Sequence, residues 1–219
     1  MMRSGALRAI GGTFVGLGVV ILLFVGYQLV GTGFVTRARQ GALAEELRAS
    51  WSTASASSPT APAPSADTLA KPPVPEIPPP ELGSGISLIE IPRIGLRQVV
   101  VEGVGVEELK KGPGHMPETP LPGRVGNVVI SGHRTTYGAP FSRIDELSAG
   151  DEIRLTTEEG LHVYKVTGNK IVVPTDLSVV APTEDARLTL TTCHPRFSAR
   201  RRLIVSARLV ASGERARAA

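Results

Sequence analysis

A thiol, an imidazole and a guanidinium stand at the ends of three strand-like runs. Cys193 closes Leu188-Thr-Leu-Thr-Thr-Cys193, and Pro195, two residues on, cannot continue a ladder. His133 follows the apolar run Asn127-Val-Val-Ile-Ser-Gly132. Arg200, Arg201 and Arg202 open a run that continues through Leu203-Ile-Val. Cysteine attacks a carbonyl as the thiolate, which nearby positive charge favours. Imidazole can protonate a leaving amine and then deprotonate an incoming nucleophile. A guanidinium, always charged, donates hydrogen bonds to a developing oxyanion. These are the parts of a thiol acyl-transfer site. Alternation puts Cys193 on one strand face with Thr189 and Thr191, and Leu188, Leu190 and Thr192 on the other. Arg200 and Arg202 share a face, and Arg201 faces away. Each residue alone has a plainer reading. A lone cysteine is more often inert core filler, a histidine after a strand is usually structural, and an arginine cluster is usually a solvated strand entry.

The elements that must position these groups read as β-structure. Runs rich in Val, Ile and Thr fall at 86–91, 98–101, 127–131, 151–156, 161–173, 187–192 and 203–210. Gly, Pro or Asp clusters bound them. Helical periodicity is weak, with a short turn expected at 106–110 and another near 141–147. Many short strands in about 130 residues indicate a barrel or sandwich. Aromatics are 4% of the chain, so its core is aliphatic. A single cysteine excludes a disulfide-stapled fold and any Cys-pair zinc site. A net charge of +4 on 24 basic and 20 acidic residues is too balanced for a nucleic-acid binder.

The N-terminal part differs in composition. No charge occurs from Ile10 to Val30, 21 residues. At about 1.5 Å per residue such a helix spans about 30 Å, the thickness of a bilayer's hydrocarbon. This is longer than the apolar part of a cleaved signal peptide. Arginines flank it on both sides, so charge does not orient it. Residues 42–51 could continue as helix. Beyond them the chain is rich in Ser, Ala, Thr and Pro, and nine of the 18 prolines lie between Pro59 and Pro80. Such a stretch is extended, a spacer between anchor and domain. The expected organisation is an N-terminus at 1–9, a transmembrane anchor at 10–30, a linker at 31–83, a globular domain at 84–212 and a disordered tail at 213–219.

At this point the residues resemble a family. Thr189-Leu-Thr-Thr-Cys193 is similar to the TLxTC signature of the sortases, membrane-anchored cysteine transpeptidases of Gram-positive bacteria. Gly132-His133 resembles their catalytic-histidine element, and Arg202 before Leu-Ile-Val resembles their catalytic arginine. The order His, Cys, Arg is also theirs. Gly112-Pro-Gly-His115, Leu121-Pro-Gly and Gly126-Asn-Val-Val-Ile-Ser-Gly-His-Arg-Thr-Thr-Tyr-Gly look most like the class E group of actinobacteria.

The resemblance implies an all-β fold, an eight-stranded sortase-type β-barrel with short helices, following one transmembrane helix and a Pro-rich linker. It implies that Cys193 attacks the Thr–Gly carbonyl of an LPxTG- or LAxTG-like sorting signal on a secreted protein. His133 protonates the leaving group, and Arg202 holds substrate and oxyanion. An amine from a lipid II-like peptidoglycan precursor or a pilin lysine then resolves the thioester. The N-terminus is then cytoplasmic and the catalytic domain extracytoplasmic. No cofactor and no metal are expected. A tyrosine common in class E is replaced by Met116, which leaves LPxTG against LAxTG open. Val180, Ala181 and Pro182, with Val179, lie in the segment corresponding to the signal-cradling loop, and either receive the signal or pack beneath the loop. Thr192 is expected to assist the oxyanion through its backbone or hydroxyl. Arg200 is the fallback for Arg202.

Of the other histidines, His115 is expected at the surface or in a structural role, His162 facing solvent in mid-strand, and His194 turned away from its neighbour Cys193. Two other readings stay open. One is a thiol peptidase or L,D-transpeptidase acting on wall peptides, whose His-Gly…Gly-Cys-x-Arg pattern is absent. The other is a non-catalytic surface-binding β-domain with Cys193 buried.

Overall fold

The computed structural model describes residues 3–56 and 79–214. The chain opens with helix α1 (Arg3–Gly26), a π turn at Tyr27–Gly31 and helix α2 (Thr32–Ala56). Taken singly, no helix among the described residues is long and apolar enough to cross a membrane. The uncharged run that reads as one helix in the sequence is instead divided between α1 and the π turn. Phe14, Leu17, Ile21, Leu22 and Phe24 of α1 stand exposed. Helix α2 extends well beyond the short helix expected at 42–51, and the Pro-rich run at 57–78 lies outside the described residues.

The strands are β1 (Gly85–Ile91), β2 (Leu96–Glu102), β3 (Gly114–His115), β4 (Gly126–Ser131), β5 (Glu152–Thr156), β6 (Gly160–Val172), β7 (Ala186–His194) and β8 (Arg201–Glu214). They close into a barrel in the order β1-β2-β3-β4-β7-β8-β6-β5. Closure removes free sheet edges. Pairs β2·β3 and β4·β7 are parallel, and the other neighbours are antiparallel. Helix α3 (Val106–Leu109) and a 3-10 turn at Ile144–Glu146 stand where short helices were expected. Strand β8 runs through Gly213 and Glu214, paired with Leu161 and Gly160, so the strand takes the first two residues of the expected tail. Residues 215–219 lie outside the described residues.

Alternate residues of each strand fill the barrel: Val128 and Ile130 from β4, Leu188 and Leu190 from β7, Leu203, Val205 and Ala207 from β8. Phe141 and Tyr164 are the aromatic members. A second cluster joins Leu43, Leu47 and Trp51 of α2 to Val99 and Val101 of β2. The two-residue β3 begins its pairing with β2 only at Val101, so the backbone of Val99 has no strand on that side. Gln40 of α2 takes the strand's place. Its Oε1 accepts from the Val99 amide at 2.7 Å, and its Nε2 donates to the carbonyls of Val99 (3.0 Å) and Lys111 (2.9 Å). Gly112 makes room for this amide, since a Cβ there would lie 2.2 Å from Nε2.

Candidate active site

Two parallel strands carry the imidazole and the thiol to one rim. In the β4·β7 register Ser131 stands beside Thr191. Past it the Gly132 amide donates to the Thr191 carbonyl at 3.1 Å, and the Thr192 hydroxyl donates to the Gly132 carbonyl at 2.7 Å. These bonds hold the end of β4 against β7, so that His133 leaves at the level of Cys193. Gly132 is required by close approach, because a Cβ would lie 2.6 Å from the Phe141 ring. The Phe141 amide in turn donates to the His133 carbonyl at 3.0 Å. Thr192 is buried on the core side of β7, and its hydroxyl is committed to Gly132.

The guanidinium arrives on the antiparallel neighbour. Cys193 pairs directly with Arg202 across β7·β8, which places both on one face with Thr191 and Ile204. Arg201 pairs with His194 instead. Arg200 precedes β8 and is exposed. Arg202 is the arginine that the register brings to the thiol. Its Nη1 donates to the carbonyls of Ala199 (3.0 Å) and Arg201 (3.2 Å), and among the described residues no carboxylate pairs with it. Its charge is therefore not neutralised by an acid. Cys193 is half-buried and free.

The imidazole of His133 is half-buried, and its Nε2 is enclosed without a hydrogen-bond partner. Burial pushes its pKa below the ordinary histidine value. Its ring lies 5.0 Å from that of Tyr137, tilted by 40°. Tyr137 and Ala139 in this loop have φ of 51° and 43°, and Phe197 after Cys193 has 65°. Side chains rarely accept this left-handed backbone, and such strain gathers at functional sites.

The remaining expected residues are spread along the flanking loops. Met116 is half-buried, with its amide on the Val129 carbonyl at 2.8 Å. A 3-10 turn at Leu177–Val180 is held by Asn127, whose Nδ2 donates to the carbonyls of Val179 (3.0 Å) and Ala181 (3.2 Å). Val179 and Val180 are half-buried, whereas Ala181 and Pro182 are exposed and do not pack beneath the loop.

The other histidines have partners of their own. His115 is buried and bonds the carboxylate of Glu102 at 2.7 Å, pinning β3 to β2. His162 is buried, not solvent-facing as expected. It bonds the hydroxyls of Thr157 (3.1 Å) and Ser212 (2.7 Å) and packs over Gly123. The cause is phase: His162 shares parity with Tyr164 and Val166, which fill the core. His194 points away from Cys193 and meets Arg134. Sequence reasoning missed Arg134, Glu102 and Gln40. Only Gln40 left a signal, since it begins the helical spacing Gln40, Leu43, Leu47, Trp51.

A closed barrel with thiol, imidazole and guanidinium at one rim is the class that fold and site define. The family model for the sortase domain matches residues 89–210, and the chain belongs to the sortase family. Sortase SrtE1 of Streptomyces coelicolor is 31% identical over 94% of this chain and 57% of its own length. Sortase D of Bacillus subtilis is 38% identical over 53% of this chain and 58% of its own length. The chain thus spans less than three-fifths of either of these curated relatives. Sortase E of Streptomyces avermitilis superposes with a TM-score of 0.57 at 39% identity, covering 61% of this chain and 93% of that one. Sortase E1 of Streptomyces coelicolor, solved with a tripeptide in its active site, gives 0.55 at 31%, covering 59% and 90%.

Proposed function

We propose that this chain is a membrane-anchored cysteine transpeptidase that cleaves an LPxTG- or LAxTG-like sorting signal between Thr and Gly and joins the protein to a cell-wall amine. The observation that carries the reading is the direct pairing of Cys193 with Arg202, level with the exit of β4 into His133, inside a sortase barrel. The Cys193 proton passes to the imidazole of His133, giving thiolate and imidazolium. Burial lowers the His133 pKa, which disfavours the charged form of the imidazole. The thiolate attacks the threonine carbonyl carbon, and the developing oxyanion takes hydrogen bonds from Arg202. Collapse breaks the carbon–nitrogen bond, and the glycine-led fragment leaves with the His133 proton. An incoming amine attacks the thioester and returns a proton to His133. A new amide forms and the thiolate is released.

The partners on this reading are secreted proteins with a C-terminal sorting signal, and either a lipid II-like precursor or a pilin lysine as amine donor. The exposed Ala181 and Pro182, with Val180 and Met116, line the path of the signal. The uncharged run Ile10–Val30, carried by α1 and the π turn, is the single-pass anchor, with a cytoplasmic N-terminus and an extracytoplasmic barrel. The test uses the full chain in detergent with paired LPxTG and LAxTG fluorogenic peptides, and a thiol-reactive signal mimic read by mass spectrometry. Cleavage of one peptide together with an adduct on Cys193, both lost in Cys193→Ala, is expected. A chain with an accessible thiol that forms no adduct and cleaves neither peptide would overturn the reading.

A further inference from the structure

Arg134 directly follows His133, and His194 directly follows Cys193. Successive residues of a strand point apart, so Cys193 on the site face turns His194 behind it. There His194 meets Arg134, whose Nη1 lies 3.2 Å from Nδ1 of His194. The other end of the guanidinium, Nη2, is 2.9 Å from Oδ2 of Asp145. The Arg134 side chain is only 3% exposed, while that of Asp145 is 43% exposed. Nε of Arg134 is enclosed without a partner.

This is an expensive arrangement. A buried guanidinium with one half-exposed counter-ion and an unmet N–H is often no more favourable than an apolar side chain of similar size, and so is weak evidence of a stabilising role. What the arginine does is geometric. It ties the residue after the imidazole to the residue after the thiol, behind the wall of the site. Along the chain those two residues are 60 positions apart. The Thr192–Gly132 bond fastens the two strands one residue earlier. With the Arg134–His194 bond, His133 and Cys193 are bracketed by cross-ties on both sides. Because arginine only donates, Nδ1 of His194 is the bare nitrogen of its ring.

We propose that Arg134 is a positioning residue that holds His133 and Cys193 within proton-transfer reach, with His194 as its acceptor and Asp145 as its anchor. The inference rests on the transpeptidase reading for its kinetic arm. Its second arm, the pH dependence of Cys193 alkylation by iodoacetamide, needs no sorting signal. The experiment compares the full chain with Arg134→Met, Arg134→Lys, His194→Leu, His194→Gln and the double variant Arg134→Met/His194→Leu, each checked for its folded fraction by circular dichroism.

An error of about 1 Å between reacting groups can lower turnover by about 10²-fold. A loss of this order in kcat with KM held is expected for Arg134→Met and His194→Leu, along with a displaced alkylation pH profile. His194→Gln keeps an acceptor and recovers part of the loss, as Arg134→Lys does by keeping one donor. The double variant is no worse than the poorer single, because either change opens the same tie. The proposal is overturned if folded Arg134→Met keeps both its kcat and its alkylation profile, or if the two losses multiply in the double variant. If the wild type cleaves no peptide, the transpeptidase reading fails and the alkylation arm alone decides the tie.

Discussion

Gln40 is the side chain that fastens α2 to the barrel where β3 stops short, and Gln40→Ala tests whether α2 is part of the catalytic unit. The substitution removes three hydrogen bonds, two involving the Val99 backbone and one to the Lys111 carbonyl. At about 1 kcal/mol each the loss is about 3 kcal/mol. Water entering the gap beside Gly112 can serve part of the freed backbone, which brings the expected cost to about 2 kcal/mol. For a domain of this size 1 kcal/mol moves Tm by about 2–4 °C, so a fall of about 4–8 °C follows. Gln40→Glu should do at least as much harm, because a carboxylate in place of Nε2 faces two carbonyls with no donor. Calorimetry of the full chain in detergent reads the Tm. Limited trypsin digestion reads the helix itself, since Arg39 and Arg48 are exposed on α2 and are cut faster once it undocks. If Gln40→Ala leaves Tm within about 1 °C of wild type and the cutting rate unchanged, α2 is a tether and the reasoning from its hydrogen bonds is wrong.

Other predictions concern the site and the charge state of the fold. Arg202→Ala should remove most peptide cleavage while Arg200→Ala leaves it near normal; the reverse pattern in a steady-state assay would contradict the cross-strand pairing with Cys193. Gly132→Ala forces a Cβ to within 2.6 Å of Phe141, and overpacking of this kind should cost about 1–3 kcal/mol in chemical denaturation. Burial holds His133 and His162 below the usual imidazole pKa of about 6.5, so the unfolded chain takes up protons first. Their effect on stability is nil well above that value, and stability falls as pH drops from it through the lowered folded pKa values. His162→Gln should therefore flatten the decline of Tm between about pH 7 and 5, and an unchanged slope would show that the burial of His162 is not its cause.

How much of this was legible in the sequence depends on the range of the interaction. Alternation and turn residues place seven of the eight strands, because each strand carries its own periodic signal. Strand β3 has only two residues, too few for a period, and exists because β2 and β4 flank it. His162 was misplaced because polarity was weighed above phase: its parity with Tyr164 and Val166 governs, and two hydroxyls meet its ring nitrogens. The place of Cys193, His133 and Arg202 at strand ends was legible in their local motifs. The preference for Arg202 over Arg200 comes from its Leu-Ile-Val context, and the register pairs Arg202 with Cys193. Arg134 was invisible, since its partners Asp145 and His194 are distant in the chain.

Strand direction explains why such separated residues meet at all. In a parallel pair both C-terminal ends lie at one edge, so β4 and β7 deliver His133 and Cys193 to the same rim. An antiparallel neighbour delivers its N-terminal end there, which is where β8 carries Arg202. Helix α2 starts at this rim as well. The Thr32 hydroxyl accepts from the Tyr137 amide at 3.3 Å, and the Tyr137 ring lies against that of His133. The Thr36 hydroxyl bonds the Lys110 carbonyl, Gln40 reaches Val99, and Trp51 ends near Leu121 and Pro122, toward the opposite rim where β4 begins. The helix therefore crosses the barrel wall from the site outward. Were α1 the anchor proposed above, the chain would enter the membrane from the rim that carries Cys193.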